Sequence, residues 1–189
     1  MYISSYAYIY IYTYRRFLYI YIYIYIYKHN RLIEGPLGSA QIKAIGKGWQ
    51  GVWQPAMNTG KHGRSGGVAT LVIQPILMIK GGGEYNHRWH RVMVQWTRRT
   101  KVHIVNIYGK ERKKAEDNEQ NHKLQGRVQQ ELQGLGRVPW IIGGDWNQEP
   151  GKVTDIWEIG GEIARTGTAT HELGGELDWF MLSLSLIHI

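Results

Sequence analysis

Trp140-Ile141-Ile142-Gly143-Gly144-Asp145-Trp146-Asn147 is the stretch of this sequence on which the fold turns. Its run of apolar residues predicts a buried strand over 140–142. The two glycines then lead into a turn that presents an acid and an amide two residues apart. On a strand, or on a tight turn after one, residues i and i+2 point the same way, so Asp145 and Asn147 can face one substrate. The carboxylate would take a proton or a metal, and the amide would donate to a phosphoryl oxygen. Gly, Asp and Asn are also common turn formers, and the stretch alone reads as an ordinary strand end too.

Working outward, residues 111–135 are highly charged and Gln-rich, with Leu124, Val128, Leu132 and Leu135 three and four residues apart. That spacing predicts a helix with one narrow buried stripe, ended by Gly134 and Gly136, and Pro139 leads into the next strand. The local order is therefore strand, helix, strand. Further short strands are predicted over 67–73, 89–96, 102–108 and 177–182. The polar link Thr97-Arg98-Arg99-Thr100-Lys101 is short enough to make 89–96 and 102–108 an antiparallel hairpin.

Two of these strands carry candidate chemistry. Val105-Asn106-Ile107-Tyr108-Gly109 ends an apolar run on a tyrosine whose phenol can hydrogen-bond a phosphate oxygen; the same tyrosine also reads as a core-edge aromatic with its hydroxyl in water. Glu176-Leu177-Asp178-Trp179-Phe180-Met181-Leu182-Ser183 embeds Asp178 in an apolar strand. A buried carboxylate needs a dedicated partner, often a histidine that it orients, whereas an edge strand would let Asp178 face solvent.

Taken in order, Ser65-Gly66-Gly67-Val68-Ala69, Asn106-Ile107-Tyr108-Gly109, Gly143-Gly144-Asp145-Trp146-Asn147 and Leu177-Asp178-Trp179-Phe180 resemble the successive motifs of the endonuclease/exonuclease/phosphatase superfamily, which includes apurinic endonucleases, DNase I and retrotransposon endonucleases. The resemblance covers roughly residues 49–183, and its GDxN-type element is the most specific part. It implies an α/β fold, a partial four-layer sandwich of two mixed, largely antiparallel sheets flanked by helices. It further implies a Mg²⁺-dependent phosphodiester hydrolase in which Tyr108 and Asn147 grip the scissile phosphate. Asp145 would activate the attacking water or stabilise the leaving oxygen, and Asp178 would orient the catalytic histidine.

The sequence departs from that pattern at both ends. The family's asparagine-ending first strand and its metal-binding glutamate precede the region matched here, where Asn30 and Glu34 stand too close together to serve. Its closing Ser-Asp-His element has no counterpart, since His171 reads as a loop histidine and His188 lies in a tail that can be translated from a sequencing adapter. The expectation is a truncated product with little or no activity, its principal metal ligand and catalytic histidine lacking. The alternatives are a non-catalytic nucleic-acid-binding remnant and a truncated gene product without function.

Composition narrows the rest. There is no cysteine, which excludes disulfides, thiolate metal sites and a cysteine nucleophile. The net charge of +8 is split unevenly. Residues 43–127 hold 16 Lys/Arg against 5 Asp/Glu, a net of +11, and residues 128–189 hold 3 against 9, a net of −6. A basic middle suits a polyanion, with nucleic acid preferred over phospholipid or phosphoinositide head groups, and the candidate phosphate contacts are Arg98, Arg99, Lys101, Arg112, Lys113 and Lys114.

Eleven of the thirteen tyrosines fall between Tyr2 and Tyr27, mostly alternating with isoleucine, as a TA dinucleotide repeat would encode. Arg15 and Arg16 in mid-tract argue against a signal peptide or membrane span. The expected organisation is a low-complexity repeat over 1–35, a partial domain over 40–183 and a non-native-looking tail over 184–189. The absence of cysteine and of a convincing signal peptide favours an intracellular protein.

Overall fold

The computed structural model describes residues 48–54, 57–60, 63–65, 67–73, 77–80, 87–111, 114–153, 159–164 and 178–183. The Tyr/Ile tract, Asn30, Glu34, Arg112, Lys113, His171 and the tail lie outside the described residues.

Strands β1 (Trp49–Gln54), β2 (Met57–Gly60), β3 (Gly63–Ser65), β4 (Val68–Ile73), β5 (Leu77–Lys80), β6 (Trp89–Gln95) and β7 (Lys101–Tyr108) come first. Helix α1 (Ala115–Gly134) follows, then β8 (Trp140–Asp145), a short 3-10 turn at Pro150–Lys152, β9 (Gly161–Ala164) and β10 (Asp178–Ser183). The main sheet has the order β5-β6-β7-β8-β10-β9, while β1 pairs with β4 and β2 with β3.

All pairings are antiparallel except β7 with β8. The exception follows from the sequence between them. A parallel pair needs a long crossover, and α1 supplies it. The hairpin between β6 and β7 is the one the polar link predicts, closed by Thr97: its hydroxyl accepts from the amides of Arg99 (3.2 Å) and Thr100 (3.0 Å).

The main sheet is covered on both faces. On one, Val92, Val94, Val102, Ile104, Ile141 and Phe180 pack with Val72 of β4 and Val52 of β1. On the other, Val105, Ile107, Trp140, Ile142 and Met181 pack with Leu124, Val128 and Leu132 of α1, the stripe that the spacing predicts. Burying each of those three helix side chains contributes about 2 kcal/mol. β7 is buried on both faces, which is why it reads as a nearly continuous apolar run. The described residues thus form three layers of the expected sandwich: paired strands, main sheet, helix.

A polar tie fastens α1 to the sheet. Arg91 of β6 donates from Nη1 to Nδ1 of His103 on β7 (2.7 Å) and from Nε to Oε1 of Glu131 on α1 (3.0 Å). Burial, and then the Arg91 charge, hold the His103 imidazole below its ordinary value of 6.5, with Glu131 opposing and Lys101 adding to the depression. A base depressed in the folded state binds protons more readily when unfolded. Its stabilising contribution is therefore fully present above pH 6.5 and is lost as pH falls toward the folded value. Urea melts from about pH 8 down to about pH 5 should show stability falling on the acid side. His103→Gln should flatten that limb, and an unchanged slope in the variant would remove His103 as its cause.

Candidate active site

The site is built where β7 and β8 end side by side. Parallel register sets Tyr108 opposite Asp145, and the antiparallel register of β10 on β8 sets Asp178 opposite the same Asp145. Tyr108, Asp145 and Asp178 therefore occupy one transverse row across three adjacent strands. For Asp178 the register places the residue alone, since its side chain lies outside what the structure describes.

Asn147 joins the row through a turn. β8 stops at Asp145, and Asn147 adopts a left-handed backbone (φ 48), which asparagine tolerates better than most residues. The Asn147 amide donates to Oδ1 of Asp145 (2.9 Å), and its side-chain Nδ2 donates to the Gly109 carbonyl (2.9 Å). Strand alternation is thus not what brings Asp145 and Asn147 together. The turn does so, and one hydrogen of the Asn147 amide is already committed to protein. Gly109 returns a bond from its own amide to the Asp145 carbonyl (2.7 Å), closing the end of β7 onto the turn.

Tyr108 is mostly buried, and burial, followed by the Asp145 carboxylate, pushes its phenol up to about 12, with Arg88 partly opposing. The hydroxyl consequently stays protonated and serves as a donor, the state needed to grip an anionic oxygen.

Arg88 is a site residue that the sequence reading does not single out. It is 9% exposed. From Nη1 it donates to the carbonyls of Tyr108 (3.1 Å) and Gly109 (3.0 Å), and its guanidinium carbon stands 4.9 Å from the centre of the Tyr108 ring. Burial lowers the pKa of its guanidinium, while Tyr108, Asp145, Asp117 and Glu111 oppose that shift. Two residues before Tyr108 on β7, Asn106 Nδ2 donates to Thr70 Oγ1, which shares a 2.6 Å hydrogen bond with His90 Nε2. This buried contact ties β4 to β6 and β7 beneath the row.

Among the described residues, the candidate phosphate contacts do not form one cluster. Arg98, Arg99 and Lys101 are exposed at the β6-β7 hairpin, at the opposite end of β7 from Tyr108. An eight-residue strand puts them about 23 Å from it. Lys114 is exposed at the start of α1, which follows the Tyr108 end of β7 in the chain.

As a cation site, the row offers Asp145 and, by register, Asp178. One or two carboxylates with water and phosphate oxygens suit Mg²⁺, a hard cation that keeps part of its hydration shell. Among the described residues, no group of three His, Asp or Glu is placed to hold a metal.

The architecture is a DNase I-like α/β fold. The endonuclease domain of TRAS1, a telomere-specific non-LTR retrotransposon, superposes with a TM-score of 0.55 at 18% identity over 75% of this chain and 68% of that one. The human Nocturnin catalytic domain, solved with bound sulfate, gives a TM-score of 0.48 at 16% identity over 77% and 64%. Beta toxin from Staphylococcus aureus, as a mutant with bound magnesium ions, gives 0.48 at 13% over 70% and 62%. The chain thus spans about two thirds of the length of these structures. No family model matches the sequence, and no curated protein matches it.

Proposed function

We propose that this chain carries the phosphate-gripping part of a metal-dependent phosphodiesterase site directed at nucleic acid, with weak or no turnover of its own. The observation that supports this reading is the row itself. A phenol held protonated, a carboxylate and an amide turn meet at one sheet end, with the backbone of Asp178 in register beside them. Tyr108 and Asn147 bind phosphate oxygens as donors, and Asp145 and Asp178 are the residues that would hold Mg²⁺, which when bound would supply neutralisation of charge on the phosphoryl oxygens. Nucleic acid is the preferred phosphodiester because of the basic middle of the chain. Among the described residues, no helix is long and apolar enough to cross a membrane.

The test is oligonucleotide binding by fluorescence anisotropy, with and without Mg²⁺, alongside any residual cleavage. Mg²⁺ should tighten binding to the unaltered chain, and Asp145→Ala should remove about tenfold or more of that gain. Equal Mg²⁺ dependence and equal cleavage in both proteins would take Asp145 out of the site.

A further inference from the structure

The two tryptophans beside the row are tied to each other in a way that simple core packing does not require. Trp146 and Trp179 are each 1% exposed. Their rings stack with centroids 4.1 Å apart and planes within 10°. A buried indole must place its N–H on an acceptor, and each of these finds one in the segment of the other. Trp146 Nε1 donates to the Trp179 carbonyl (2.9 Å), and Trp179 Nε1 donates to the Gln148 carbonyl (2.8 Å).

The location of these bonds matters. The β8-β10 ladder ends at Asp145 and Asp178, so the turn carrying Asn147 lies beyond the last strand pairing. The indoles continue the connection past that point. Asp145 and Asn147 flank Trp146, Asn147 precedes the Gln148 acceptor, and Asp178 precedes Trp179. The Gln148 side chain is held in turn, accepting from Gln125 Nε2 of α1 (3.0 Å) and donating to the Lys152 carbonyl.

We propose that Trp146 and Trp179 are positioning residues, whose reciprocal indole-to-carbonyl bonds set the gap between the Asn147 turn and the head of β10. The functional part of this inference rests on the phosphodiester reading above; the lock itself does not. Phenylalanine keeps a stacked, apolar ring but has no N–H, so it isolates the bonds from the packing.

The experiment is residue-resolved amide exchange on the full chain and on Trp146→Phe and Trp179→Phe. Either change should speed exchange about tenfold at both Asn147–Gln148 and Asp178–Trp179, while Ile104 in β7 stays as protected as before. A uniform rise would indicate packing alone, and a rise confined to the substituted segment would mean no mutual lock; both overturn the proposal. Should a Phe variant not fold, the two indole N–H signals of the unaltered chain decide it. They should exchange at a common rate with the Asn147 amide, and rates differing more than tenfold overturn the lock. Oligonucleotide affinity with Mg²⁺ is read in parallel, with Leu132→Ala as the control for lost stability. The Phe variants should lose about tenfold more affinity than this control. An equal loss removes the positioning role. An unaltered chain that binds no oligonucleotide refutes the phosphodiester reading and, with it, the positioning of that site, while the exchange rates still decide whether the lock exists.

Discussion

Replacing Gly144 with alanine is expected to destabilise the chain by about 3 kcal/mol or more, a large fraction of what a domain this size commands. Gly144 pairs with Ile107 across the parallel β7-β8 junction. A methyl there would fall well inside contact distance of the Ile107 carbonyl oxygen, with the carbonyl carbon 2.8 Å and Cγ2 3.0 Å away. Backbone of a paired neighbouring strand cannot swing aside as a side chain can, so relief comes only by parting β7 from β8. The row of Tyr108 and Asp145 begins one residue beyond and would part with them. Gly126 of α1 provides the contrast. A methyl there meets nothing within 4 Å, so Gly126→Ala should stabilise by about 0.5–1 kcal/mol through helix propensity. Urea titrations of both variants check the pair, and a Gly144→Ala midpoint equal to the unaltered chain's would refute the clash.

Arg88→Met should cost about 3 kcal/mol, because it leaves the Tyr108 and Gly109 carbonyls without their charged donor and removes the cation beside the Tyr108 ring. Arg88→Lys should recover less than half of that loss. An ammonium on a flexible stem does not reproduce a planar group that lies on an aromatic face while reaching two neighbouring carbonyls. Full recovery by lysine, judged by denaturant midpoint and oligonucleotide affinity, would show that charge alone suffices.

Arg88 also marks where the sequence stops being informative. A single arginine ahead of a strand has no periodicity or spacing to distinguish it; only the approach of β6 to the end of β7 turns it into a clamp. The strands that could be read, β4, β6, β7, β8 and β10, are the apolar ones that supply core side chains, and the α1 stripe declared itself through its three- and four-residue spacing. By contrast β1, with Gln50, Gly51 and Gln54, and the four-residue β5 and β9 derive their order from pairing at sheet margins, which leaves little local trace.

The residue types at the candidate site were legible because their motifs combine strand ends with polar side chains. Their convergence was not, since it depends on register among strands far apart in the chain. The indole pair shows the same limit, with its partners 33 residues apart. Proximity in sequence misled in the opposite direction for the basic residues between Arg98 and Lys114, because a complete strand length separates the hairpin from the helix start.

The transverse row has a metric consequence. Neighbouring strands stand about 4.8 Å apart, so Tyr108 and Asp178, two strands from each other, have backbones roughly 10 Å apart with Asp145 midway. The hydrogen-bonded sheet acts as a ruler whose divisions no side-chain motion can alter, so substitutions at Tyr108, Asp145 or Asp178 change the groups along the row without changing the spacing of the backbones that carry them.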